Sequence, residues 1–339
     1  MTEATWAVAP PPEQMPQTIP DLLNLSRILF NEVPRSLRRR VYGIPYVRLD
    51  DTTGGRLWVT RHGWQHLPHL DPAKWYLDGQ FSRRGKRLSE GSGAVYRVSS
   101  TVSAGPSVEL IVKFSRMAQD LPLDVSSQFP GGVPRHVVDA AVFNDPFQEF
   151  GLLEELRNSR YGPSALRVRT KRPLAIYSPG KRCEMWQLGR TEDRFRWHGR
   201  QLAEDQGTLE DDMKTVEMSI DRQYVYLFHW VRGIDAQSLM RAGALSAPEA
   251  SALVVNVIED LAAKGFRVLD SKPGHVILRK RPDGRLLSRG GRLVYALVDF
   301  ELLQRTEQYR RWRETAASWR PPRSRTGLAK ISRSGQISD

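Results

Sequence analysis

The sequence is poor in cysteine: Cys183 is the single thiol among 339 residues. One thiol excludes an internal disulfide and fits a reducing compartment, so we expect a cytoplasmic protein. Long hydrophobic runs are also missing. No apolar stretch approaches the ~20 residues of a membrane span, and the mean hydropathy is −0.47. Residues 1–20 lack the basic and then apolar pattern of a secretory signal. We therefore expect a soluble protein without a membrane partner.

Acidic residues are scarce relative to basic ones. The chain has 51 Lys and Arg against 38 Asp and Glu, which gives a net charge of +13 and a pI of about 10.1. This balance favours an acidic partner, namely a nucleotide, a nucleic acid, an anionic lipid or an acidic protein, although a solubilising arginine-rich surface would give the same numbers. A hydrophobic content of 40% supports a packed core, and the length allows one large or two medium domains.

Two acidic residues follow neighbouring predicted strands late in the chain. The apolar pattern predicts a helix over 250–263, after which a short loop carries Asp270 and Lys272. The apolar runs 276–278 and 294–298 predict two strands, and the second leads into Asp299. Two carboxylates at the ends of neighbouring strands, with a lysine beside one of them, can hold a metal–phosphate group.

The same stretch resembles a known family. Residues 270–278, D-S-K-P-G-H-V-I-L, are similar to the catalytic loop of protein kinases, D-x-K-P-x-N-I-L. The tripeptide Asp299-Phe300-Glu301 is similar to their D-F-G motif. Further segments that resemble kinase motifs lie upstream, in the order that the family has.

Two of these upstream segments would bind phosphate. Residues 88–98, L-S-E-G-S-G-A-V-Y-R-V, resemble the glycine-rich loop L-G-E-G-S-F-G-x-V-Y-x-V, with one residue deleted and a serine at the first glycine. On this resemblance Gly91 and Gly93 let backbone amides approach phosphate, and Val95 covers the base. Residues 108–114, V-E-L-I-V-K-F, resemble the strand V-A-I-K, whose lysine, here Lys113, holds the α- and β-phosphates.

The next two segments resemble the helix and the hinge of the family. Residues 147–157 predict a helix similar to F-x-x-E-x-x-L-L-x-x-L, which makes Glu149 the partner of the strand lysine, with the spacing from phenylalanine to glutamate one residue shorter. Residues 224–231 and the following Arg-Gly resemble the strand and hinge Y-L-V-M-E-Y-V-x-G. The resemblance then assigns Phe228 to gate the base pocket, the backbone of His229–Val231 to bind adenine, and Asp235 to meet the ribose.

Together these segments resemble the protein-kinase-like superfamily over residues 85–303. The resemblance implies an α+β, bilobal fold with an antiparallel-sheet N-lobe and a short helical C-lobe. It implies ATP and Mg²⁺ as cofactors, with Asp270 as the base that orients a hydroxyl, Lys272 beside the transferred phosphoryl group, and Asp299 as a metal ligand. It divides the chain into an N-terminal arm with a helix over residues 19–30 (1–45), the N-lobe with insertions (46–233), the reduced C-lobe (234–303) and a basic tail (304–339).

Four departures separate this sequence from the family pattern. Val268-Leu269-Asp270 stands for H-R-D, so the arginine that reads a phosphorylated activation loop is missing. His275 replaces the second metal-binding asparagine, which makes Mn²⁺ or a single metal an alternative. Glu301 replaces a glycine, either as an added metal ligand or as a stiffer residue. No A-P-E-like segment appears in the forty residues after Asp299. We therefore do not expect a conventional regulated protein kinase.

Two functions remain open. The first is an atypical kinase-like phosphotransferase whose acceptor the sequence does not name. The second is an inactive pseudokinase that binds an acidic protein or nucleic acid through its basic arm and tail. The tail interleaves arginines with Tyr309, Trp312 and Trp319, a pattern that suits base stacking and equally suits a helix packed on the domain. The remaining expectations are two strands within 173–190 and a solvated charged insertion from Arg190 to Asp221.

Overall fold

A computed structural model describes residues 22–88, 94–102, 105–121, 133–206 and 216–318 of the chain. Ten α-helices and fifteen strands are assigned within these ranges. The helices are α1 (Leu22–Leu25), α2 (Arg61–Trp64), α3 (Pro72–Trp75), α4 (Gln80–Arg83), α5 (Arg135–Asp139), α6 (Pro146–Asn158), α7 (Glu192–Gln206), α8 (Ala236–Arg241), α9 (Ala247–Ala263) and α10 (Glu307–Ser318). The strands are β1 (Arg38–Val41), β2 (Ile44–Asp50), β3 (Arg56–Thr60), β4 (Lys86–Arg87), β5 (Val95–Ser100), β6 (Val108–Phe114), β7 (Pro173–Ser178), β8 (Val225–His229), β9 (Ile234–Asp235), β10 (Phe266–Val268), β11 (Val276–Leu278), β12 (Ser288–Arg289), β13 (Arg292–Leu293), β14 (Tyr295–Leu297) and β15 (Leu303–Arg305).

The first eight strands form one sheet in which every neighbouring pair is antiparallel. The order across the sheet is β1-β2-β3-β7-β8-β6-β5-β4. Valine, isoleucine, leucine and aromatic residues dominate its central strands, and such residues pack well on a pleated surface. The sheet corresponds to the predicted N-lobe.

Both faces of this sheet are buried, because side chains alternate between two separate cores. Tyr46 and Phe228 point to the face that helix α6 covers, with Phe147 and Phe150 of that helix packed against it. Residues such as Val47 point to the opposite face, which the N-terminal segment and helices α2 and α3 cover. The strand composition is therefore apolar on both sides rather than alternately polar.

The C-lobe is built around helix α9 and three small sheets. Helix α9 begins after Ser246, which forms a reciprocal capping box with Glu249. It ends at Ala263, and Gly265, two residues later, has a φ of +83°, a conformation that favours glycine. The small sheets are β14-β11-β9, β10-β15 and β12-β13. An antiparallel-sheet lobe joined to a helical lobe is the expected α+β bilobal fold, which is thereby confirmed.

Some local predictions differ from the structure. The predicted helix over 19–30 is reduced among the described residues to α1 and a 3₁₀ turn at Phe30–Glu32. In 173–190, all of which is described, only β7 is a strand, and the second predicted strand is replaced by a 3₁₀ turn at Met185–Leu188. The charged insertion after Arg190 contains helix α7, whose His198 and Leu202 are buried. A helix that is polar on average can still pack against the protein through one stripe of buried side chains.

The sheet and the C-lobe extend past the predicted domain limits. Strand β1 precedes the predicted boundary at residue 46 and pairs with β2. Strand β15 and helix α10 lie beyond residue 303, and Tyr309 of α10 is 3% exposed in the main core. The first part of the predicted tail is therefore a packed helix, whereas Trp319 and the residues after it lie outside the described part. Across that described part, no helix combines the length and apolarity needed to span a bilayer.

Candidate functional site

Asp270 lies in the loop between β10 and β11, as predicted. Strand β10 pairs with β15, and the backbone N–H of Leu269 donates to Leu302 O at 3.3 Å. The residue just before Asp270 is therefore hydrogen-bonded to the residue just before β15. The Ser271 hydroxyl donates to Val268 O at 3.2 Å. The loop is therefore fixed at both of its sides by the chain around it.

Asp299 follows β14 and lies next to this loop. Strands β11 and β14 are antiparallel partners, as predicted, and the Val298 N–H donates to His275 O at 3.2 Å. This pairing places the His275 Nε2 3.5 Å from Asp299 Oδ2 and its Nδ1 4.0 Å from Asp270 Oδ2. The two strands thus bring together three side chains that are up to 29 residues apart in sequence.

These three side chains form a possible metal site. One ligand atom each from Asp270, His275 and Asp299 lies within 4.8 Å of the others, and all three residues are partly buried. Two carboxylates and one imidazole fit a divalent cation. Oxygen ligands suit Mg²⁺, and an added imidazole also suits Mn²⁺. The residues present therefore fit the metal that the sequence predicts.

Lys113 reaches this site from the N-lobe sheet. Its Nζ lies 2.6 Å from Asp299 Oδ1 and 3.3 Å from Glu301 Oε1, and its side chain is 6% exposed. Burial disfavours the ammonium form, but the charges of Asp299, Glu149 and Glu301 outweigh burial and hold the pKa of Lys113 above its ordinary value. In the same way, burial opposes ionisation of Asp299, yet Lys113 and His275 hold the pKa of Asp299 well below its usual range.

For two other carboxyl groups of the site, the nearby positive charges do not outweigh burial. Burial, followed by the charge of Asp299, raises the pKa of Asp270 to about 7. Burial also raises the pKa of Glu301 to about 7, with Lys113 opposing this shift and Asp299 reinforcing it. Burial lowers the pKa of His275 to about 4, so the imidazole is neutral near pH 7 and can offer a lone pair to a metal.

Lys272 is the most exposed of the predicted catalytic side chains. Its side chain is 45% exposed, and its Nζ lies 3.8 Å from Asp270 Oδ2. A lysine in this position can swing toward an incoming anion while it remains close to the acid.

The partner of Glu149 differs from the prediction. Helix α6 forms where it was predicted and buries Glu149 completely, but its carboxylate meets a second buried lysine, Lys171, at 3.1 Å. Lys113 is instead paired with the two acids after β14. Lys171 carries no sequence signal because basic and polar residues surround it, from Thr170 to Arg172, and only tertiary pairing buries it.

Val95 and Phe228 lie on the same side of the sheet as Lys113. Val95 is the register partner of Lys113, and Phe228 is the partner of Ile111 on the next strand. Phe228 is fully buried against Phe150 of α6. The geometry therefore places both predicted base-pocket residues in the neighbourhood of the lysine. Gly91 and Gly93 lie outside the described residues.

Two backbone N–H groups of the predicted hinge donate hydrogen bonds within the protein. The His229 N–H donates to Arg172 O at 3.1 Å, and the Trp230 N–H donates to Glu109 O at 3.0 Å. No hydrogen bond to the Val231 N–H is found among the described residues. Asp235 caps helix α8, with its oxygens accepting from Ser238 N and Oγ at 2.7 Å each, so its position is fixed by the fold.

Comparison at the sequence level finds no match among protein families and none among curated proteins. Comparison with solved structures finds matches. WaaP in complex with acyl carrier protein is 13% identical, with a TM-score of 0.31 over 73% of this chain and 76% of that one. WbdD co-crystallised with the kinase inhibitor LY294002 is 11% identical, with a TM-score of 0.28 over 68% of this chain and 35% of that one. At these values neither structure decides the function of this chain.

Proposed function

We propose that this protein is a metal-dependent, ATP-binding phosphotransferase of the kinase-like type. The observation that carries the proposal is the convergence of Lys113, Asp270, His275 and Asp299, which come from both lobes. The Lys113 Nζ and the Asp299 carboxylate, 186 residues apart in sequence, are 2.6 Å apart. A lysine for the phosphates, an acid for the metal and a second acid for the nucleophile are the groups that kinase-type phosphoryl transfer uses.

The charge balance of the site supports a bound cation. Four carboxylates, those of Glu149, Asp270, Asp299 and Glu301, are buried or partly buried, while Lys113 and Lys171 are the two lysines buried with them. Burial raises the pKa values of Asp270 and Glu301 to about 7, and the negative charge of Asp299 adds to both shifts. A divalent cation bound at His275 and Asp299, beside Asp270, would offset part of this negative charge. When bound, it would neutralise the charge on the transferred phosphate.

The transfer step needs one base and one cationic anchor. Asp270 takes the proton of an acceptor hydroxyl as the hydroxyl oxygen forms its bond to the terminal phosphorus of ATP. The bond from that phosphorus to the bridging oxygen breaks, and ADP leaves with the electron pair. Lys113 holds the phosphates that remain on the nucleotide, and Lys272, 3.8 Å from Asp270, faces the transferred group.

The test is a thermal-shift titration with ATP, with and without Mg²⁺ or Mn²⁺, combined with release of labelled phosphate from γ-labelled ATP. A ligand that binds only the folded state raises the melting temperature by mass action. We expect a metal-dependent rise in the wild type, its loss in Lys113→Ala, and its retention without turnover in Asp270→Asn. Asp139→Asn, an exposed acid on α5, is the matched control and should behave as wild type.

The absence of any shift with either metal would reject the proposal. The basic ends of the chain would then become the place to look for an acidic protein or nucleic-acid partner. A shift without turnover in the wild type would leave nucleotide binding and remove the transfer step.

A further inference from the structure

The site contains two buried lysines, and the second has no role in the transfer step. Lys171 belongs to the segment that leads from α6 into β7, and its side chain is 3% exposed. Its Nζ lies 3.1 Å from Glu149 Oε1, and Glu149 is 0% exposed. Glu149 Oε2 has no hydrogen-bond partner among the described residues. The ion pair with Lys171 is therefore the main compensation for a fully buried carboxylate.

The ammonium group of Lys171 also contacts two aromatic rings of the site. It lies 3.5 Å from the centroid of the Phe228 ring, on the wall of the base pocket, and 5.7 Å from that of Phe300, the residue after Asp299. Both distances are within the range of cation–π attraction. One cation thus contacts helix α6, the base-pocket wall and the metal-binding segment.

The backbone around Lys171 reinforces this connection. The Lys171 N–H donates to Leu297 O at 3.2 Å, and the Leu297 N–H donates to Arg169 O at 2.9 Å. Leu297 is the last residue of β14, two positions before Asp299. The segment 169–171 therefore runs beside the strand that delivers the metal ligand.

We propose that Lys171 is a positioning residue that holds Glu149, and with it helix α6, against Phe228 and Phe300. Lys113 forms its ion pairs with the acids after β14 instead, and is there available to phosphate. Lys171 and Lys113 divide a task that the kinase resemblance gives to one lysine. This inference rests on the proposed function for its consequence, but the pairing itself can be tested without nucleotide.

The first test is a pair of double-mutant cycles on the thermal stability of the metal-free protein. Lys171→Met leaves Glu149 buried and unpaired, so we expect the melting temperature to fall by about 5–10 °C. In Lys171→Met/Glu149→Met the loss should be well below the sum of the single losses. Lys113→Met combined with Glu149→Met should be closer to additive. A coupling of Glu149 to Lys113 that equals or exceeds its coupling to Lys171 would overturn the proposal.

The second test separates positioning from bulk stability. The variant Lys171→Met/Glu149→Met replaces both buried charges by apolar side chains. It should therefore stay folded and allow the measurement even if the single variant unfolds. We expect hydrogen exchange in α6 and in residues 299–303 to speed up about tenfold, with α9 unchanged as the internal reference. Wild-type exchange in α6 and residues 299–303 would mean that the pair only fills space, and would overturn the proposal.

The outcome is distinguishable from failure of the proposed function. If the wild type binds no metal–nucleotide complex, the phosphotransferase proposal fails, while the cycles and the exchange data still decide the role of Lys171. If nucleotide binds, Lys171→Met/Glu149→Met should weaken that binding about tenfold or more, and unchanged binding would contradict the positioning role.

Discussion

At the scale of single residues, Asp270 is a partly buried carboxyl group whose ionisation lowers the stability of the folded protein. Its pKa is raised to about 7 in the folded protein because it is buried beside Asp299. The folded state therefore binds the proton more tightly than the unfolded chain. The contribution of this group to stability is present below its unfolded pKa and is lost as the pH rises toward about 7. A neutral residue at this position would avoid the loss.

We therefore expect Asp270→Asn to stabilise the metal-free protein at pH 8 and to stabilise it clearly less at pH 5, which lies between the ordinary pKa of an unfolded aspartate, about 3.9, and the folded pKa of about 7. The expected gain at pH 8 is about 1–3 kcal/mol, because each unit of pKa shift is worth about 1.4 kcal/mol before solvent screening. Urea unfolding in the presence of a chelator at both pH values measures it. An equal effect at the two pH values would contradict the link between the raised pKa and the loss of stability. Asp139→Asn on α5 serves as the control.

Lys113 donates a hydrogen bond to a carboxylate oxygen of Asp299, a candidate metal ligand. The Lys113 Nζ lies 2.6 Å from Asp299 Oδ1, so a metal ion must compete with the ammonium group unless phosphate draws the lysine away. Metal and nucleotide should therefore bind better together than separately.

It follows that Lys113→Met should bind Mn²⁺ more tightly than the wild type when no nucleotide is present, by about tenfold as one ion-pair contact is removed. The same variant should lose the ATP-dependent thermal shift. Titration of Mn²⁺ by electron paramagnetic resonance measures the free ion directly. The matched control is Lys181→Met, because Lys181 is an exposed lysine outside the site. Weaker Mn²⁺ binding in Lys113→Met would show that the lysine supports the metal rather than competing with it.

At the scale of elements, the loop before α6 is connected to the segment that follows Asp299. The Asn144 side-chain Nδ2 donates to Phe300 O at 3.2 Å and to Leu303 O at 3.0 Å, and its backbone N–H donates to Glu301 O at 2.8 Å. Asn144 is 5% exposed. The start of helix α6 and the segment 299–303, which contains the candidate metal ligand Asp299, are therefore linked through one buried residue.

We expect Asn144→Ala to lower the free energy of unfolding by about 1–3 kcal/mol, because two buried carbonyl groups lose their donor. It should also weaken Mn²⁺ binding, since the segment 299–303 loses a support. Urea unfolding and Mn²⁺ titration check the two effects separately. The control is Asn31→Ala at an exposed asparagine. Loss of stability with unchanged metal affinity would limit Asn144 to a structural role.

At the scale of the whole molecule, basic residues occur in the predicted tail as well as in the candidate site. Residues 319–339 contain five Lys and Arg and one Asp. These residues follow α10, whose Tyr309 and Trp312 stack with each other and contact Tyr161 edge-on. Helix α10, the first part of the predicted tail, thus packs through its aromatic side chains. The basic residues of 319–339 lie in the part of the sequence that follows this helix.

Truncation after Ser318 should keep the metal-dependent ATP shift and weaken binding of a single-stranded oligonucleotide. Each lost phosphate contact lowers the salt dependence of that binding by roughly 0.7 in the log–log slope. Fluorescence anisotropy at several salt concentrations measures the slope, and thermal shift measures ATP binding. An unchanged slope would remove the tail from polyanion binding, and a lost ATP shift would show that the tail supports the nucleotide site.

Local pattern alone determined several features of this protein. The cap at Ser246, the glycine at the end of α9 and the apolar runs of β6, β8, β11 and β14 are short-range signals, so the elements could be predicted where they form. The kinase resemblance also named Asp270, His275 and Asp299, which the paired strands β11 and β14 bring together.

Only the tertiary structure decided how the buried charges pair. Glu149 meets Lys171 rather than Lys113 because a segment with no distinctive pattern pairs with β14 and is buried there. Pairing of buried charges depends on distances across the fold, and burial makes each unpaired charge costly, so the global packing selects among the possible partners. Sequence spacing carries no information about that choice.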